Sequence, residues 1–391
     1  MKIFVPKETS KTETRVAVSK DTIKKLAALG CEVHIGKGAG VASGIPDQAF
    51  KDAGAHIATA KTAGEADVVL RVQRPTPAEA KKYKSGAVVL AMMDPYGNEK
   101  DIEALADAGV DAFAMEFMPR ITRAQAMDVL SSQANLAGYQ SVIEGSAVFD
   151  RAMPMMMTAA GTVPAAKVFV MGAGVAGLQA IATARRLGAV VTATDVRPAA
   201  KEQVESLGAK FVAVEDDEFK QAETAGGYAK EMSKEYQAKQ AELVASHIAK
   251  QDIVITTALI PGRPAPKLVS KEMVASMAPG SVLVDLAVER GGNVVGAKAG
   301  EVVTTKNGVN IVGHLNMAGR IAASASLLYA KNLLAFLETM IDKEKGGLNI
   351  DWEDELVSAT LLTRDGKVVH PNFAPAEKVS GSSSNKGRKS K

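Results

Sequence analysis

The chain reads Lys167-Val-Phe-Val-Met-Gly172-Ala-Gly174-Val-Ala-Gly177-Leu-Gln near its middle, and Asp195 closes a second apolar run 18 residues after Gly177. This order of strand, G-x-G-x-x-G turn, helix, strand and acid predicts one βαβ unit that binds a dinucleotide. Gly172 permits the tight turn, Gly174 lets the backbone approach a pyrophosphate, and Gly177 allows the helix to pack closely on the strand. The pyrophosphate is expected at the helix N-terminus, where unpaired N–H groups and the helix dipole favour an anion.

The position of Asp195 bears on which dinucleotide is bound. At the end of the second strand, its carboxylate can accept hydrogen bonds from the adenosine ribose hydroxyls, and it would repel a 2′-phosphate. The sequence therefore predicts NAD(H) rather than NADP(H). A glycine-rich turn alone is weak evidence, but here the strand, the helix and the acid all stand at the required spacing.

Composition excludes several classes of protein. The chain has 391 residues, 47% of them apolar and 23% charged, which is typical of soluble globular proteins long enough for two domains. The last dozen residues carry four basic side chains and no acid, so the net charge of +3 indicates no nucleic-acid-binding face. The one cysteine, Cys31, excludes an internal disulfide and a cysteine-rich metal site. No stretch approaches the ~20 apolar residues of a membrane-spanning helix, so a cytoplasmic chain is expected.

Two units of alternating strands and helices follow one another along the chain. In the first, strands are predicted near 3–5, 32–35, 67–72, 87–91 and 112–115, with helices at 21–29, 46–53, 77–84 and 100–108. In the second, strands are predicted near 168–172, 190–195, 210–214, 252–257, 281–286 and 310–313. Each unit is therefore expected to form a mostly parallel sheet flanked by helices.

Two long helical patterns, at 123–151 and 319–341, join these units. They predict an α/β fold of two Rossmann-like domains with a cleft between them, where such proteins bind ligands. The second crossing returns the chain to the first domain, which is therefore discontinuous. The predicted domains are 1–130 with 330–378, the dinucleotide domain 131–329, and a disordered basic tail at 379–391.

One connection is longer than a crossover requires. The segment between Val214 and Asp252 is highly charged and contains Gly226-Gly-Tyr228, whereas a crossover helix needs about a dozen residues. We interpret 226–232 as the hinge and tip of a mobile loop, at about 220–240, that closes over a bound nucleotide. A surface helical hairpin without such a role is the alternative.

Several polar side chains are expected at the cleft. Arg120, Gln125, Asp128 and Ser131 lie where the chain leaves the first domain, and they could contact one another and a nicotinamide. An ordinary helix N-terminus with surface charges explains the same residues equally well. Further candidates are His314 and Asn316, after a strand, and Arg15 and Arg71, which could hold an anionic substrate or merely line the surface. The sequence contains no Ser-His-Asp arrangement and no metal-ligand cluster.

The motifs together resemble those of one family. They are Pro6-Lys-Glu with Arg15-Val-Ala, Val72-Gln-Arg-Pro, Met118-Pro-Arg-Ile-Thr-Arg-Ala-Gln-Ala-Met-Asp128, and the stretches 155–164, 222–232, 255–262 and 285–289. Over residues 1–372 the chain resembles the NAD(H)-binding component of proton-translocating NAD(P) transhydrogenases. The run Arg120-x-x-Arg-Ala-Gln-x-x-Asp128 is specific to that family.

The resemblance implies roles for individual residues. Arg120, Gln125, Asp128 and Ser131 would position the nicotinamide and its ribose, and Tyr228 and Met232 would belong to the closing loop. The predicted cofactor-binding set is Gly172, Gly174, Val175, Ala176, Gly177, Asp195, Val196, Arg197, Tyr228, Met232, Thr257, Ala258 and Leu259. The resemblance further implies a homodimer, a partner component that binds NADP(H), and membrane-spanning partner subunits that hold the chain at the inner membrane without inserting it.

Alanine dehydrogenases share the expected architecture and the Pro-Lys-Glu opening. This chain differs from them at Arg71, where they have lysine, and at Leu90-Ala-Met-Met-Asp94, where they have a catalytic histidine. Reduction of an imine or a carbonyl needs a proton donor beside the hydride acceptor, whereas hydride transfer between two nicotinamides needs none. Transhydrogenation is therefore the predicted reaction, and the alternatives are alanine-type dehydrogenation and a non-catalytic NAD-binding regulator.

Overall fold

The computed structural model describes residues 1–220, 232–342 and 346–374. The strands are β1 Lys2–Val5, β2 Glu32–Ile35, β3 His56–Ile57, β4 Val68–Gln73, β5 Val88–Met92, β6 Asp111–Ala114, β7 Met156–Thr158, β8 Gly161–Val163, β9 Lys167–Met171, β10 Val190–Thr194, β11 Lys210–Phe211, β12 Ile253–Thr256, β13 Val282–Asp285, β14 Val302–Thr304, β15 Asn310–Val312, β16 Ile341–Asp342, β17 Gly347–Leu348, β18 Leu361–Arg364 and β19 Lys367–Val368. The α-helices are α1 Lys20–Ala28, α2 Asp47–Asp52, α3 Thr62–Glu65, α4 Pro77–Ala80, α5 Glu99–Asp107, α6 Val129–Val148, α7 Val175–Arg186, α8 Ala200–Ser206, α9 Asp217–Lys220, α10 Lys234–Ile248, α11 Lys271–Ser276, α12 Ala322–Leu337 and α13 Glu355–Thr360. Short 3-10 helices lie at Val41–Ser43, Met115–Phe117, Thr122–Met127, Val288–Arg290, Met317–Ile321 and Glu338–Met340.

The sheet that contains the N-terminus has the strand order β19-β18-β6-β5-β4-β1-β2-β3. Strands β6 to β3 pair in parallel, and β18 and β19 add an antiparallel edge, so residues close to the C-terminus complete this sheet. The first five residues of β4 are buried. A continuous buried run of this kind is typical of a parallel strand that is covered on both faces.

The second sheet has the order β11-β10-β9-β12-β13-β15-β14, and only its edge strand β14 is antiparallel among these described strands. Strand β9 lies between β10 and β12, so the order reverses at β9. The carboxyl end of the strand at such a reversal is where open α/β sheets bind ligands. The predicted glycine turn follows β9 and therefore lies at this position.

The long helices α6 and α12 connect the two sheets. Helix α6 packs so closely on α7 that a β-carbon added to Gly138 would lie 2.1 Å from the Ala176 carbonyl oxygen. Helix α12 contributes Leu333 and Phe336 to the core under the first sheet. The hydroxyl of Tyr329 on α12 donates a hydrogen bond at 2.8 Å to the Arg71 carbonyl of β4. These contacts fix the two sheets to a shared helical layer.

The predicted α/β fold with two parallel-dominated sheets is confirmed, while several elements differ in detail. Helix α4 ends at Ala80 rather than at 84, and the pattern at 319–341 divides into a 3-10 helix, α12 and a second 3-10 helix. The domain boundaries stay a prediction. The tail at 379–391 and the central part of the loop at 220–240 lie outside the described residues, and the described end of that loop is the start of α10.

Candidate dinucleotide site

The turn after β9 gives each glycine a distinct physical task. Gly172 has φ +106°, and a β-carbon there would lie 2.4 Å from Thr257 Oγ1. A β-carbon on Gly177 would lie 1.8 Å from the Gly172 carbonyl oxygen, so α7 approaches the turn as closely as backbone atoms allow. A β-carbon on Gly174 would meet nothing within 4 Å. The backbone at Gly174 therefore faces open space, where a diphosphate can approach it.

The N-terminus of α7 presents free backbone donors to that space. Gly174 is its N-cap and supplies no side-chain hydrogen bond to the first turn. The N–H groups of the first helical residues, Val175, Ala176 and Gly177, have no carbonyl partner within the helix. Val175 is exposed, and Ala176 lies against α6. Unpaired donors at the positive end of a helix dipole favour an anion.

Asp195 lies directly beside this turn, where it has a structural task as well. Its carboxylate accepts hydrogen bonds from the Ala173 N–H at 2.7 Å and from the Arg197 N–H and Nε at 2.9 Å. The Asp195 side chain is only 7% exposed, whereas the neighbouring Val196 is exposed. The residue expected to bind ribose thus also holds the glycine turn and pairs with the Arg197 guanidinium. Its spacing in the sequence does not indicate either of these two contacts.

The end of β12 completes the wall beside the turn. Thr257 Oγ1 donates to the Gly172 carbonyl at 3.2 Å, which ties the two strand ends together. Ala258 exchanges two hydrogen bonds with the side chain of Asn293, which is fully buried. Leu259 is 53% exposed. Asn293 was not predicted, because only its position after a Gly-Gly pair hinted at a constrained loop.

Two predicted contacts belong to the loop before α10. Tyr228 lies outside the described residues. Met232 is half-buried against the core of the second sheet, and its carbonyl accepts a hydrogen bond from Gln237 Nε2 at 2.8 Å. The structure therefore places only the base of the predicted closing loop.

The segment 120–131 contains both paired and unpaired side chains. Asp128 caps α6 by accepting hydrogen bonds from the N–H and the hydroxyl of Ser131. Arg120 and Gln125 are exposed, and within the part of the chain that the structure describes their side chains form no hydrogen bond or ion pair. The structure thus brings Asp128 and Ser131 together but leaves the guanidinium of Arg120 and the amide of Gln125 available to a ligand.

Helix α6 sets the distance between this segment and the glycine turn. Gly138 touches Ala176, and Asn135 Nδ2 donates to Gln179 of α7 at 3.3 Å. Ser131 stands seven residues before Gly138. An α-helix rises about 1.5 Å per residue, so the N-terminus of α6 lies about 10 Å along the helix from the turn. A ligand that begins at the turn must extend along α6 to reach Arg120 and Gln125.

Arg15 is buried in a polar network rather than free at the cleft. Its Nε and Nη2 donate to both carboxylate oxygens of Glu13 at 2.8 and 2.7 Å, and its Nη1 donates to Gln133 of α6 at 2.9 Å. Glu13 also accepts from Gln73 and from Asn316. Burial alone would raise the pKa of Glu13, but the hydrogen bonds and charge of Arg15 lower it overall. The expectation that Arg15 could line the surface is wrong.

Arg71 is likewise internal, with a side chain 1% exposed. It pairs with Glu8 at 3.1 Å and with Glu79 at 2.9 Å, and its Nη1 contacts the Tyr83 hydroxyl at 3.2 Å. Burial raises the pKa of Glu8 although the charge of Arg71 opposes this. The expectation of a surface position is wrong here too, because Arg71 is buried against Glu79 in the next helix and against Glu8, which lies 63 residues away in sequence.

The end of β5 contains no proton-donating histidine. The N–H groups of Met93 and Asp94 both donate to the carboxylate of Glu116, and the carboxylate of Asp94 forms an ion pair with Arg290 in the 3-10 helix that follows β13. Asp94 adopts a left-handed backbone, with φ +45°. Met92, half-buried, ends the strand. This edge therefore contains Met92 and an ion pair that joins the first sheet to the chain after β13, while Met93 is buried in the core.

His314 and Asn316 have structural partners of their own. His314 Nε2 lies 3.3 Å from Glu144 of α6, and Glu144 also pairs with Arg320. Burial, and then the charge of Arg320, lower the pKa of His314. His314 and Asn316 line a cavity of about 860 Å³ whose lining includes no residue of the glycine turn. Among the described residues no cluster of metal ligands is present, and no helix there is both long and apolar enough to cross a membrane.

Comparison with known proteins shows the family of the chain. The family models "Alanine dehydrogenase/PNT, N-terminal domain" and "Alanine dehydrogenase/PNT, C-terminal domain" match residues 4–137 and 141–371. An alpha-subunit component of the NAD(P) transhydrogenase of Rhodospirillum rubrum is 57% identical over 378 residues, which cover 95% of this chain and 98% of that one. The chain belongs to the NAD(P) transhydrogenase alpha-subunit family.

The chain is similar to solved structures of two groups of proteins, the transhydrogenases and the alanine dehydrogenases. A transhydrogenase from Sinorhizobium meliloti is 65% identical, with a TM-score of 0.87 over 94% of this chain and all of that one. An L-alanine dehydrogenase is 26% identical, with a TM-score of 0.80 over 95% of this chain and 98% of that one. The two groups thus share a fold, and the sequence of this chain is more similar to that of the transhydrogenase than to that of the alanine dehydrogenase.

Proposed function

We propose that this chain binds NAD(H) in the cleft and exchanges hydride directly with NADP(H) bound to a partner component. The observation that carries the proposal is the end of β5, which contains Met92, Met93 and the Asp94–Arg290 ion pair and no histidine, and whose neighbouring carboxyl, Glu116, is engaged by the N–H groups of Met93 and Asp94. Hydride transfer between nicotinamides moves only C–H bonds and needs no acid or base. The open glycine turn and the unpaired Arg120 and Gln125 supply the two ends of a dinucleotide site.

The reaction then depends on positioning. Arg120, Gln125, Asp128 and Ser131 orient the nicotinamide and its ribose, while the α7 N-terminus and Asp195 hold the adenosine half. Holding two reactants at the attack distance removes the entropic cost of bringing them together. Tyr228 and Met232 close over the nucleotide and exclude water. Proton translocation belongs to membrane-spanning partner subunits, which hold this chain at the cytoplasmic face of the inner membrane.

A homodimer is part of the proposal. The hairpin of β7 and β8 and the residue before it project apolar side chains into solvent, with Met157 75% exposed and the preceding Met155 61% exposed. A contiguous exposed apolar surface of this kind marks a protein interface. A second copy of this chain is the partner that we assign to it.

Catalytic assays separate this function from its alternatives. We expect the purified chain to support NADH-dependent reduction of NADP⁺ only when an NADP(H)-binding transhydrogenase component is added, and to show no NAD-dependent oxidation of alanine. Oxidation of alanine by the chain alone would favour the dehydrogenase. Binding of NADH without any transfer in the presence of the partner would favour a regulator.

Asp195→Ala is expected to reverse the cofactor preference. The substitution removes the carboxylate that accepts from the Ala173 N–H and pairs with Arg197, so the turn loosens and the guanidinium can meet a 2′-phosphate. We expect the affinity for NADH to fall, and that for NADPH to rise, about tenfold each, the scale of one charged hydrogen bond. Titration of both nucleotides measures the change, and Glu215→Ala, which breaks an exposed ion pair with Lys201, is the control. Continued exclusion of NADPH by the variant would contradict the role given to Asp195.

A further inference from the structure

Four aromatic side chains from three separate segments pack together, and we name them the aromatic clamp: Tyr96, Phe117, His370 and Phe373. The Phe117 ring stacks on His370 and on Phe373, with ring centroids 4.8 and 6.0 Å apart. Tyr96 meets Phe373 edge-on at 5.0 Å, and its hydroxyl contacts Asn372 Nδ2 at 3.3 Å. None of these residues has a task in the proposed reaction so far.

Each segment that contributes to the clamp follows the end of a strand of the first sheet. Tyr96 lies in the turn after β5, and Phe117 ends the 3-10 helix that follows β6. His370 and Phe373 follow β19, and the N–H groups of Val369 and His370 both donate to the Leu362 carbonyl of β18. The clamp therefore ties the C-terminal segment to two strand ends that face the cleft.

The clamp also touches the second domain. A β-carbon added to Gly262 would lie 2.9 Å from the Tyr96 ring, so the ring packs directly against the backbone of that loop. Gly262 stands three residues after Leu259, the last predicted cofactor contact of the β12 loop. The Asp94–Arg290 ion pair crosses the cleft two residues before Tyr96. The clamp thus lies where the two domains meet.

On its other side the clamp leads into the segment 120–131. Phe117 stands three residues before Arg120. Because Arg120 and Gln125 have no side-chain partner among the described residues, the backbone on either side of them must fix their positions. That backbone is held by Phe117 before the segment, by the ion pair of Arg123 with Asp354 within it, and by the Asp128 cap towards its end.

We propose that the aromatic clamp positions segment 120–131 relative to the second domain, and thereby sets where the nicotinamide stands for hydride transfer. The inference rests on the proposed function. The four members of the aromatic clamp are positioning residues, since they act through Arg120 and Gln125. Offset and edge-on rings have preferred geometries, so they fix direction as well as distance. A displacement of about 1 Å in a reacting group can cost two orders of magnitude in rate.

Phe373→Ala tests the clamp in the full chain combined with an NADP(H)-binding component. We expect the hydride-transfer rate to fall at least about tenfold, while the NADH dissociation constant changes less than about threefold, because the glycine turn is untouched. Phe373→Tyr keeps the ring and is expected to restore the rate. Val369→Ala, in the same segment but outside the clamp, is the matched control. An unchanged rate in Phe373→Ala would overturn the proposal.

Two further measurements keep the test decisive. The emission of the single tryptophan, Trp352, which stacks on Phe113 in the first domain, reports whether the variants fold normally. If Phe373→Ala misfolds, Phe117→Leu takes its place with the same expectation.

The fluorescence of bound NADH reports the nicotinamide environment without a partner. In the variant we expect this fluorescence to move towards that of free NADH. If the unmodified chain transfers no hydride, the proposed function fails, and an unshifted fluorescence in the variant would by itself overturn the clamp.

Discussion

Gly177→Ala is expected to abolish NADH binding at ordinary nucleotide concentrations. The added β-carbon would lie 1.8 Å from the Gly172 carbonyl oxygen. That oxygen belongs to the backbone and the position of a β-carbon is fixed by its own backbone, so neither a rotamer change nor a small side-chain shift relieves the clash. Helix α7 must move away from β9, which removes its N-terminus from the diphosphate. We expect the NADH dissociation constant to rise at least about a hundredfold, equivalent to about 2.7 kcal/mol, with a lower melting temperature.

The neighbouring glycine supplies the matched control. A β-carbon on Gly174 meets nothing within 4 Å, and its φ of −76° suits alanine. Gly174→Ala should therefore melt as the unmodified chain does, yet bind NADH more weakly, because the methyl group occupies the space of the diphosphate. Calorimetric titration with parallel thermal unfolding separates these effects. Normal NADH binding by Gly177→Ala would refute the assignment of the turn.

Glu13→Ala should be the most destabilising of the single substitutions considered for this chain. It removes the carboxylate whose two oxygens accept from Arg15, and it leaves that buried guanidinium only its hydrogen bond to Gln133 among the described contacts. Breaking a buried ion pair by removing one partner costs about 3–5 kcal/mol, because the remaining charge is left uncompensated. Denaturant unfolding measures the loss. Glu65→Ala, which breaks an exposed ion pair with Lys2, should leave the denaturant midpoint unchanged, and equal effects of both variants would contradict the argument.

The same pair gives the stability a defined dependence on pH. Burial opposes ionisation, but Arg15 lowers the pKa of Glu13 below its ordinary value of about 4.3. A carboxylate with a depressed pKa in the folded state contributes stability that is complete above pH ~4.3 and is lost as the pH falls through its folded-state pKa. Glu13→Gln lacks this contribution. The stability difference between the unmodified chain and this variant should be constant near neutrality and shrink below pH ~4; a difference that does not change with acidification would be the contrary result.

Local pattern was enough to predict the βαβ unit and the parallel sheets. The glycines at 172, 174 and 177 each require a backbone geometry that other residues disturb, so their spacing carries information over a few residues. Buried parallel strands such as β9 read as continuous apolar runs. By contrast, β3 is two residues long and β14 pairs antiparallel at an edge, so neither has a periodicity that a sequence pattern can show.

Partners that are distant in sequence could not be predicted in the same way. Arg15 finds Gln133 across 118 positions, and Arg71 finds Glu8 across 63. A charge pattern cannot distinguish a buried ion pair from two solvated charges. A surface position was therefore considered for both arginines, and it is wrong for both. The double role of Asp195 was missed for a related reason. Its spacing indicates a ribose contact but not the hydrogen bond to Ala173, which depends on how the turn folds back on the strand.

Isotope transfer from NADH tests the central claim most directly. NADH deuterated at C4, on either face in separate experiments, is mixed with NADP⁺, this chain and an NADP(H)-binding transhydrogenase component, and the NADPH formed is analysed by mass. We expect that one of the two labelled forms delivers its deuterium to C4 of NADPH without exchange with solvent. NADPH that forms without deuterium from either labelled NADH would contradict direct transfer between the two nicotinamides.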